Sequence, residues 1–210
     1  HDVQRLTAEG RFAEALDALE LIAETERNRW RIVSLRAIAC LGLGRTECAK
    51  QQTAQWKSVI EQERLRGWAI PESDVLPIVL EALANGDGEG GAGRGETFRA
   101  VNARISEMPY FSTKFYLRAG IFAHLGDTES AMQSLDESLS LGDFGVFGLD
   151  IFGYDVEHSP LLEPLRGSPA FESWRLRYET RRENLLQRMR EMERSGTVLP
   201  AESVARLASG

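Results

Sequence analysis

The sequence predicts an all-α fold, a right-handed superhelical solenoid of stacked antiparallel helix hairpins with a long C-terminal capping helix. Gly10 is followed five residues later by Ala15, and the same pair recurs 34 residues on at Gly44 and Ala49. Apolar residues at helical spacing flank both glycines. A period near 34 is typical of helix hairpins that are each too small to bury their own apolar face.

The glycine and alanine pair occurs twice more along the chain. It returns at Gly95 with Ala100 and at Gly126 with Ala131, so the gaps between glycines are 34, 51 and 31 residues. We therefore expect about four irregular hairpins within residues 1–142 and a separate C-terminal part over residues 143–210.

Each hairpin is predicted from an apolar stripe on either side of a turn. The first two are expected at Asp2–Glu9 with Phe12–Glu26, and at Asn28–Leu41 with Arg45–Leu65. The last two are expected at Asp74–Ala84 with Glu96–Ser106, and at Phe111–Leu125 with Thr128–Leu141.

A glycine-rich stretch over residues 85–95 interrupts the third hairpin. Six of its eleven residues are glycine, so it predicts a flexible connector inserted in the turn. A phosphate-binding loop would end in Lys-Ser or Lys-Thr, which Arg94-Gly95-Glu96-Thr97 does not supply.

The second hairpin resembles a tetratricopeptide repeat (TPR). The matching residues are Ala37 on the first helix, the turn residue Gly44 and Ala49 on the second helix, with Val33 and Cys40 at larger packing positions. The fourth hairpin resembles the same family through Ala119, Gly126, Asp127, Ala131 and Leu135. The resemblance implies a non-enzymatic module that binds protein or peptide and needs no cofactor.

In such a stack the first helix of each hairpin faces the concave side, which predicts the residues of a peptide groove. The predicted groove residues are Arg31, Ser34, Ile38, Leu41, Thr113, Tyr116 and Arg118. Arg31, Arg36 and Arg118 are the cations available to orient a ligand. The TPR domains that grip a C-terminal carboxylate use lysine and asparagine in this groove, and the scarcity of lysine here disfavours that mode.

Aromatic residues alternate with glycines after Gly142, in a loop too apolar to lie open in water. The loop is expected to fold over the end of the array. Alternatively, Phe147, Phe152 and Tyr154 form a small-ligand site. Asp150, Asp155 and Glu157 lack the spacing of a calcium loop, so no metal site is predicted.

The segment that follows is similar to the closing segment of TPR arrays in bacterial signalling proteins. Its matching residues are Pro160, Leu165-Arg166, Pro169 and Phe171. Such arrays stand at the C-terminal end of membrane-anchored winged-helix regulators, class III adenylate cyclases and some protein kinases. The resemblance implies a regulatory or signalling role in a bacterium, with a small-ligand sensor as the alternative.

A long helix is predicted from Ser168, an N-cap followed by Pro169, to a stop at Gly196. Its apolar stripe starts at Phe171 and Trp174 and predicts a cap for the array, or alternatively a homodimer. Its arginines alternate with glutamates along the sequence, which favours a solvated face over a nucleic-acid patch.

The composition favours binding over catalysis. A net charge of −7 disfavours direct binding of nucleic acid or anionic membrane, and no apolar run reaches the roughly 20 residues of a membrane span. His1, His124 and His158 are the only histidines, and no Gly-x-Ser-x-Gly elbow accompanies them. His124, near the C-terminal end of a predicted helix, is expected to have a structural role.

Two cysteines, Cys40 and Cys48, flank the second turn. They are expected to be reduced and packed, with a disulfide as the alternative, and they leave the compartment open between cytoplasm and periplasm. The chain starts at His1 without an initiator methionine, which predicts a further domain ahead of it.

Overall fold

The computed structural model describes residues 2–22, 30–65, 75–85, 91–108, 114–141 and 156–196, and within these ranges it is all-helical, without strands. The described residues form nine α-helices and one 3-10 helix. The α-helices are α1 (Asp2–Ala8), α2 (Phe12–Glu20), α3 (Trp30–Gly42), α4 (Thr46–Leu65), α5 (Leu76–Asn85), α6 (Gly91–Glu107), α7 (Lys114–His124), α8 (Thr128–Leu141) and α9 (Pro169–Arg194). The 3-10 helix is Pro160–Leu165.

The first, second and fourth turns have the same backbone structure. Gly10, Gly44 and Gly126 adopt φ values of 73°, 66° and 79°, which L side chains rarely tolerate. In each turn the residue after the glycine donates its amide to the carbonyl five residues earlier, over 2.8, 2.9 and 3.0 Å respectively. These bonds satisfy carbonyls left open at a helix end and define a Schellman turn.

The five-residue offset from glycine to alanine has a simple structural cause. Ala15, Ala49 and Ala131 each donate an amide to the residue after the turn glycine, which is the first backbone bond of the second helix. All three side chains are completely buried. The small residue is therefore needed where the second helix leaves the turn and crosses the first.

The prediction of a turn at Gly95 is wrong. Gly95 lies inside α6, which starts at Gly91, and Ala100 is exposed. The glycine-rich connector is therefore shorter than predicted: residues 91–95 are helical, and residues 86–90 lie outside the described ranges. Pro77 stands in the first turn of α5, where a helix tolerates the missing backbone N–H.

The core connects hairpins that follow one another in the chain. Leu6 and Ala15 of the first hairpin share a cluster with Ala39 of the second. Cys40 and Ala49 of the second share another with Ala84 of α5. Consecutive helices from α1 to α8 pack on one another, and α3 also packs on both α1 and α5.

Cys40 and Cys48 form a disulfide across the second turn, so the prediction of reduced thiols is wrong and its alternative holds. The Schellman turn folds α4 back on α3 and brings the two Cα atoms to 5.7 Å. That distance lies within the window that a disulfide requires.

The chain divides into two compact units, residues 1–167 and 168–210. The predicted division after residue 142 stays a prediction. The 3-10 helix belongs to the first unit because it packs on α7. In the second unit Ser168 caps α9 by accepting the Phe171 amide at 3.2 Å, and Gly196 follows its end with φ 72°, both as predicted. The rings of Phe171, Trp174 and Tyr178 are buried and stack in succession.

Candidate functional site

The predicted groove face of α7 is filled by the protein itself. Leu161 of the 3-10 helix is completely buried and sits over Gly120. A Cβ atom on Gly120 would meet the Leu161 side chain well inside the 3.0 Å that real Cβ contacts respect. The glycine therefore forms a notch that the leucine occupies.

Polar contacts hold the segment around this leucine in place. His124, the last residue of α7, has its Nε2 atom 3.1 Å from the Pro160 carbonyl oxygen, in line with its predicted structural role. Arg166 donates to the Ser159 carbonyl over 2.7 Å and closes the segment on itself. The His158 ring lies beside the first turn, 3.5 Å from where a Cβ on Gly10 would stand. The segment therefore contacts both the first and the fourth hairpin.

Two arginines predicted to orient a ligand join hairpins together. Arg36 on α3 donates to the Leu19 carbonyl of α2 over 3.0 Å. Arg118 on α7 donates to the Asn102 side-chain oxygen of α6 at 3.3 Å and lies over the Phe122 ring, 5.4 Å from its centroid. Both arginines stand eight residues before the turn glycine of their hairpin and reach back to the preceding helix.

The residues predicted for the groove and for the alternative ligand loop divide into three groups. Ser34, Ile38 and Tyr116 are buried, with exposed fractions of 6%, 3% and 1%, so they present no contact surface and their placement on an open groove is wrong. Leu41 and Arg118 are partly exposed. Arg31 lies in α3 but its side chain is not described, and four residues lie outside the described ranges: Thr113, Phe147, Phe152 and Tyr154.

A groove that sequence reasoning missed lies between α4, α5 and α6. It encloses about 310 Å³ over an apolar floor of Ile60, Pro77 and Ile78. Three cations stand around this floor: Lys57, Arg64 and Arg104. Lys57 pairs with Glu81, and Arg64 lies 3.1 Å from Glu61. No motif in the sequence indicates this groove. Its walls come from three helices, and the apolar residues of each helix predict only a buried core.

A second concavity lies along α9, with a volume of about 570 Å³. Its described lining consists of the residues Leu176, Arg177, Thr180, Arg181, Asn184, Leu185 and Arg188. Three of these are arginines and none is a carboxylate. A helical projection of the sequence could have found the three arginines on one side of α9, although it places Glu191 on that side as well.

The described pKa shifts belong to exposed groups. Hydrogen bonds from Arg11 lower the pKa of Glu9 and of Glu14, and these carboxylates raise the pKa of Arg11 further above its usual value. The pKa of Asp127 is lowered because it accepts hydrogen bonds from Ser130 at the start of α8. These shifts reflect a turn and a helix cap.

The part of the chain that the structure describes holds no group of three or more histidine, cysteine, aspartate or glutamate side chains able to hold a metal ion. Within the same residues no helix is long and apolar enough to cross a bilayer. No family model, curated protein or solved structure matches this chain.

Proposed function

We propose that this protein is a non-enzymatic helical-repeat module of the TPR type that binds a protein or peptide segment. The observation that carries the proposal is the recurrence of one turn, with the same glycine conformation and the same two kinds of backbone bond, at Gly10, Gly44 and Gly126. Repeated hairpins of this kind display side chains over a wide surface, which suits recognition of an extended partner. A role within a bacterial regulatory protein is part of the same proposal.

The groove between α4, α5 and α6 is a surface suited to a peptide. Its floor offers apolar contact at the partly exposed Ile78. The ion pairs around the floor, Lys57 with Glu81 and Arg64 with Glu61, offer polar contacts to the backbone of a bound segment. A volume near 310 Å³ accommodates one or two side chains of a bound segment. Binding would therefore depend on an anchoring apolar side chain with polar groups around it.

The small-ligand alternative concerns Phe147, Phe152 and Tyr154, which lie outside the described residues. It stays a prediction.

Peptide display on the whole chain, followed by fluorescence anisotropy of the selected peptides, tests the proposal. Ile78→Glu places a carboxylate on the groove floor and should weaken binding by tenfold or more. Leu21→Glu is the matched control, because it makes the same change at a side chain that is 89% exposed and lies in the first hairpin. The groove would be rejected as the peptide site if the selected peptides bound both variants with the affinity of the parent, or if the selection yielded no binder.

A further inference from the structure

The disulfide between Cys40 and Cys48 joins two sulfur atoms in different surroundings. Cys40, near the end of α3, is completely buried in a cluster with Ala49 and Ala84. Cys48, in the first turn of α4, packs against that cluster but stays partly exposed. A reagent in solution can therefore reach Cys48 without opening the core, whereas Cys40 is shielded.

The turn that the disulfide spans does not need it in order to form. The first and fourth turns contain the same glycine conformation and the same backbone bonds. At the positions equivalent to the two cysteines, the first turn carries Leu6 and Glu14 and the fourth carries Phe122 and Ser130. The cysteine pair is therefore an addition to the second turn and not a requirement of the repeated hairpin.

A thiol in solution opens a disulfide by attacking one of its two sulfur atoms as the thiolate. Attack on Cys48 forms a bond from the incoming sulfur to the Cys48 Sγ atom and breaks the bond to Cys40. The bonding electron pair leaves on the Cys40 Sγ atom, which then takes a proton. Attack on Cys40 would require the incoming thiol to enter the apolar cluster, so accessibility selects Cys48.

Closure of the disulfide passes through the same intermediate. In the reduced chain the accessible Cys48 thiolate attacks a small disulfide, keeps one half of it and releases the other half as a thiolate. The Cys40 thiolate then attacks the Cys48 Sγ atom and expels the bound half, which restores the disulfide with its Cα atoms 5.7 Å apart. Cys48 carries the small molecule in both directions.

We propose that Cys48 is a site of reversible S-thiolation, at which the protein exchanges its disulfide with small thiols of the glutathione class. Cys40 is the resolving cysteine, because it displaces the small thiol from Cys48. The mixed disulfide is therefore short-lived in the parent and persists where Cys40 is replaced. While it lasts, the second turn is no longer closed covalently.

The sequence allows the two sulfur atoms to be followed separately. Trypsin cleaves after Arg36, Arg45 and Lys50, which places Cys40 in the peptide 37–45 and Cys48 in the peptide 46–50. The parent in its disulfide form is mixed with reduced glutathione, and the reaction is stopped with acid and N-ethylmaleimide. Peptide mass spectrometry should find glutathione on Cys48 at least about tenfold more often than on Cys40, which should carry the maleimide.

Two single variants are matched, since each leaves one of the two thiols. Cys40→Ala keeps the partly exposed Cys48 and should take up one glutathione from glutathione disulfide. Cys48→Ala keeps the buried Cys40 and should react at least about tenfold more slowly while folded. Unfolding in guanidinium chloride should bring the two rates together, because it removes the shielding. Circular dichroism checks that both variants are folded.

The inference is overturned if glutathione is found on the peptide 37–45, equally on both peptides, or on neither. It is also overturned if folded Cys48→Ala reacts as fast as folded Cys40→Ala. The measurement on the parent needs no substitution, so it tests the inference even where a variant does not fold. Neither experiment involves peptide binding, so the proposed function fails separately.

Discussion

The second and fourth hairpins have equivalent residues at an offset of 82, yet α3 carries Ile38 at the position where α7 carries Gly120. Both positions are buried. In α3 the space is filled by the residue's own side chain, whereas in α7 it is filled by Leu161, 41 residues further along the chain. The comparison teaches that residues within the turn determine its structure. The side chain that covers the first helix can instead come from a distant part of the chain.

The two hairpins are also closed differently at their turns. In the second, the Cys40–Cys48 disulfide joins α3 to α4 covalently. In the fourth, Asp127 caps α8 by accepting the Ser130 amide at 3.0 Å. The equivalent position of the second hairpin holds Arg45, whose guanidinium group cannot accept a hydrogen bond. The second hairpin should therefore respond to reductant and the fourth to acid.

The largest effect is expected from Leu161→Ala, which removes the side chain that occupies the notch at Gly120 on α7. Because Leu161 is completely buried, the free energy of unfolding should fall by about 3 kcal/mol. Denaturant titration followed by circular dichroism measures it. Leu176→Ala on the exposed part of α9 should change stability by less than about 0.5 kcal/mol, and equal losses in the two variants would show that Leu161 is not packed.

Reduction of the disulfide should have the next largest effect. Opening a loop this short should cost about 2.5 kcal/mol through the entropy that the unfolded chain regains. The melting temperature of the parent should fall on addition of dithiothreitol. A chain with both Cys40 and Cys48 changed to alanine should not respond to the reductant, and a parent that does not respond either would contradict a disulfide in the native protein.

Gly120→Ala tests the notch from the other side. The added methyl group overlaps Leu161, and overpacking of this kind should cost about 2 kcal/mol even though alanine favours helix. Gly93→Ala is the matched control, because Gly93 is helical, exposed and has no atom within 4 Å of its Cβ position. That control should be stabilised by about 0.5–1 kcal/mol, and a stabilised Gly120→Ala would mean that the notch is empty.

The smallest effect is the response of the fourth hairpin to acid. The pKa of Asp127 is lowered in the folded state, so its contribution is present above the unfolded value near 4 and is lost as pH falls below that value. Amide exchange at Ser130 should accelerate as pH falls through this range, relative to the intrinsic rate. Asp127→Asn still accepts the bond without titrating, so its protection should not change there; equal acid sensitivity of both chains would reject the cap.

The parts of the fold that sequence predicted are those fixed over a few residues. The turns at Gly10, Gly44 and Gly126 follow from a backbone conformation that glycine permits, and the cap at Ser168 follows from its own first turn. Gly95 shows the limit, because the same spacing occurs within α6, where neighbouring turns keep a glycine helical.

The candidate site depended on contacts that no local pattern contains. Tyr116 and Ile38 occupy positions that face a groove in an open stack, but burial removes them from the surface. Arg36 and Arg118 bind groups 17 and 16 residues away. The groove at Ile78 is formed by side chains from three helices, so it could be recognised only once the fold was known.

A double-mutant cycle between Gly120 and Leu161 tests the central claim most directly, namely that Leu161 occupies the notch at Gly120 on the predicted groove face of α7. If Leu161 occupies the notch, the alanine methyl group at position 120 has room once Leu161 is truncated. Gly120→Ala should then cost nothing in the Leu161→Ala background, which gives a coupling energy of about 2 kcal/mol. Costs that add to within about 0.5 kcal/mol would show that the two residues do not touch and would contradict the account.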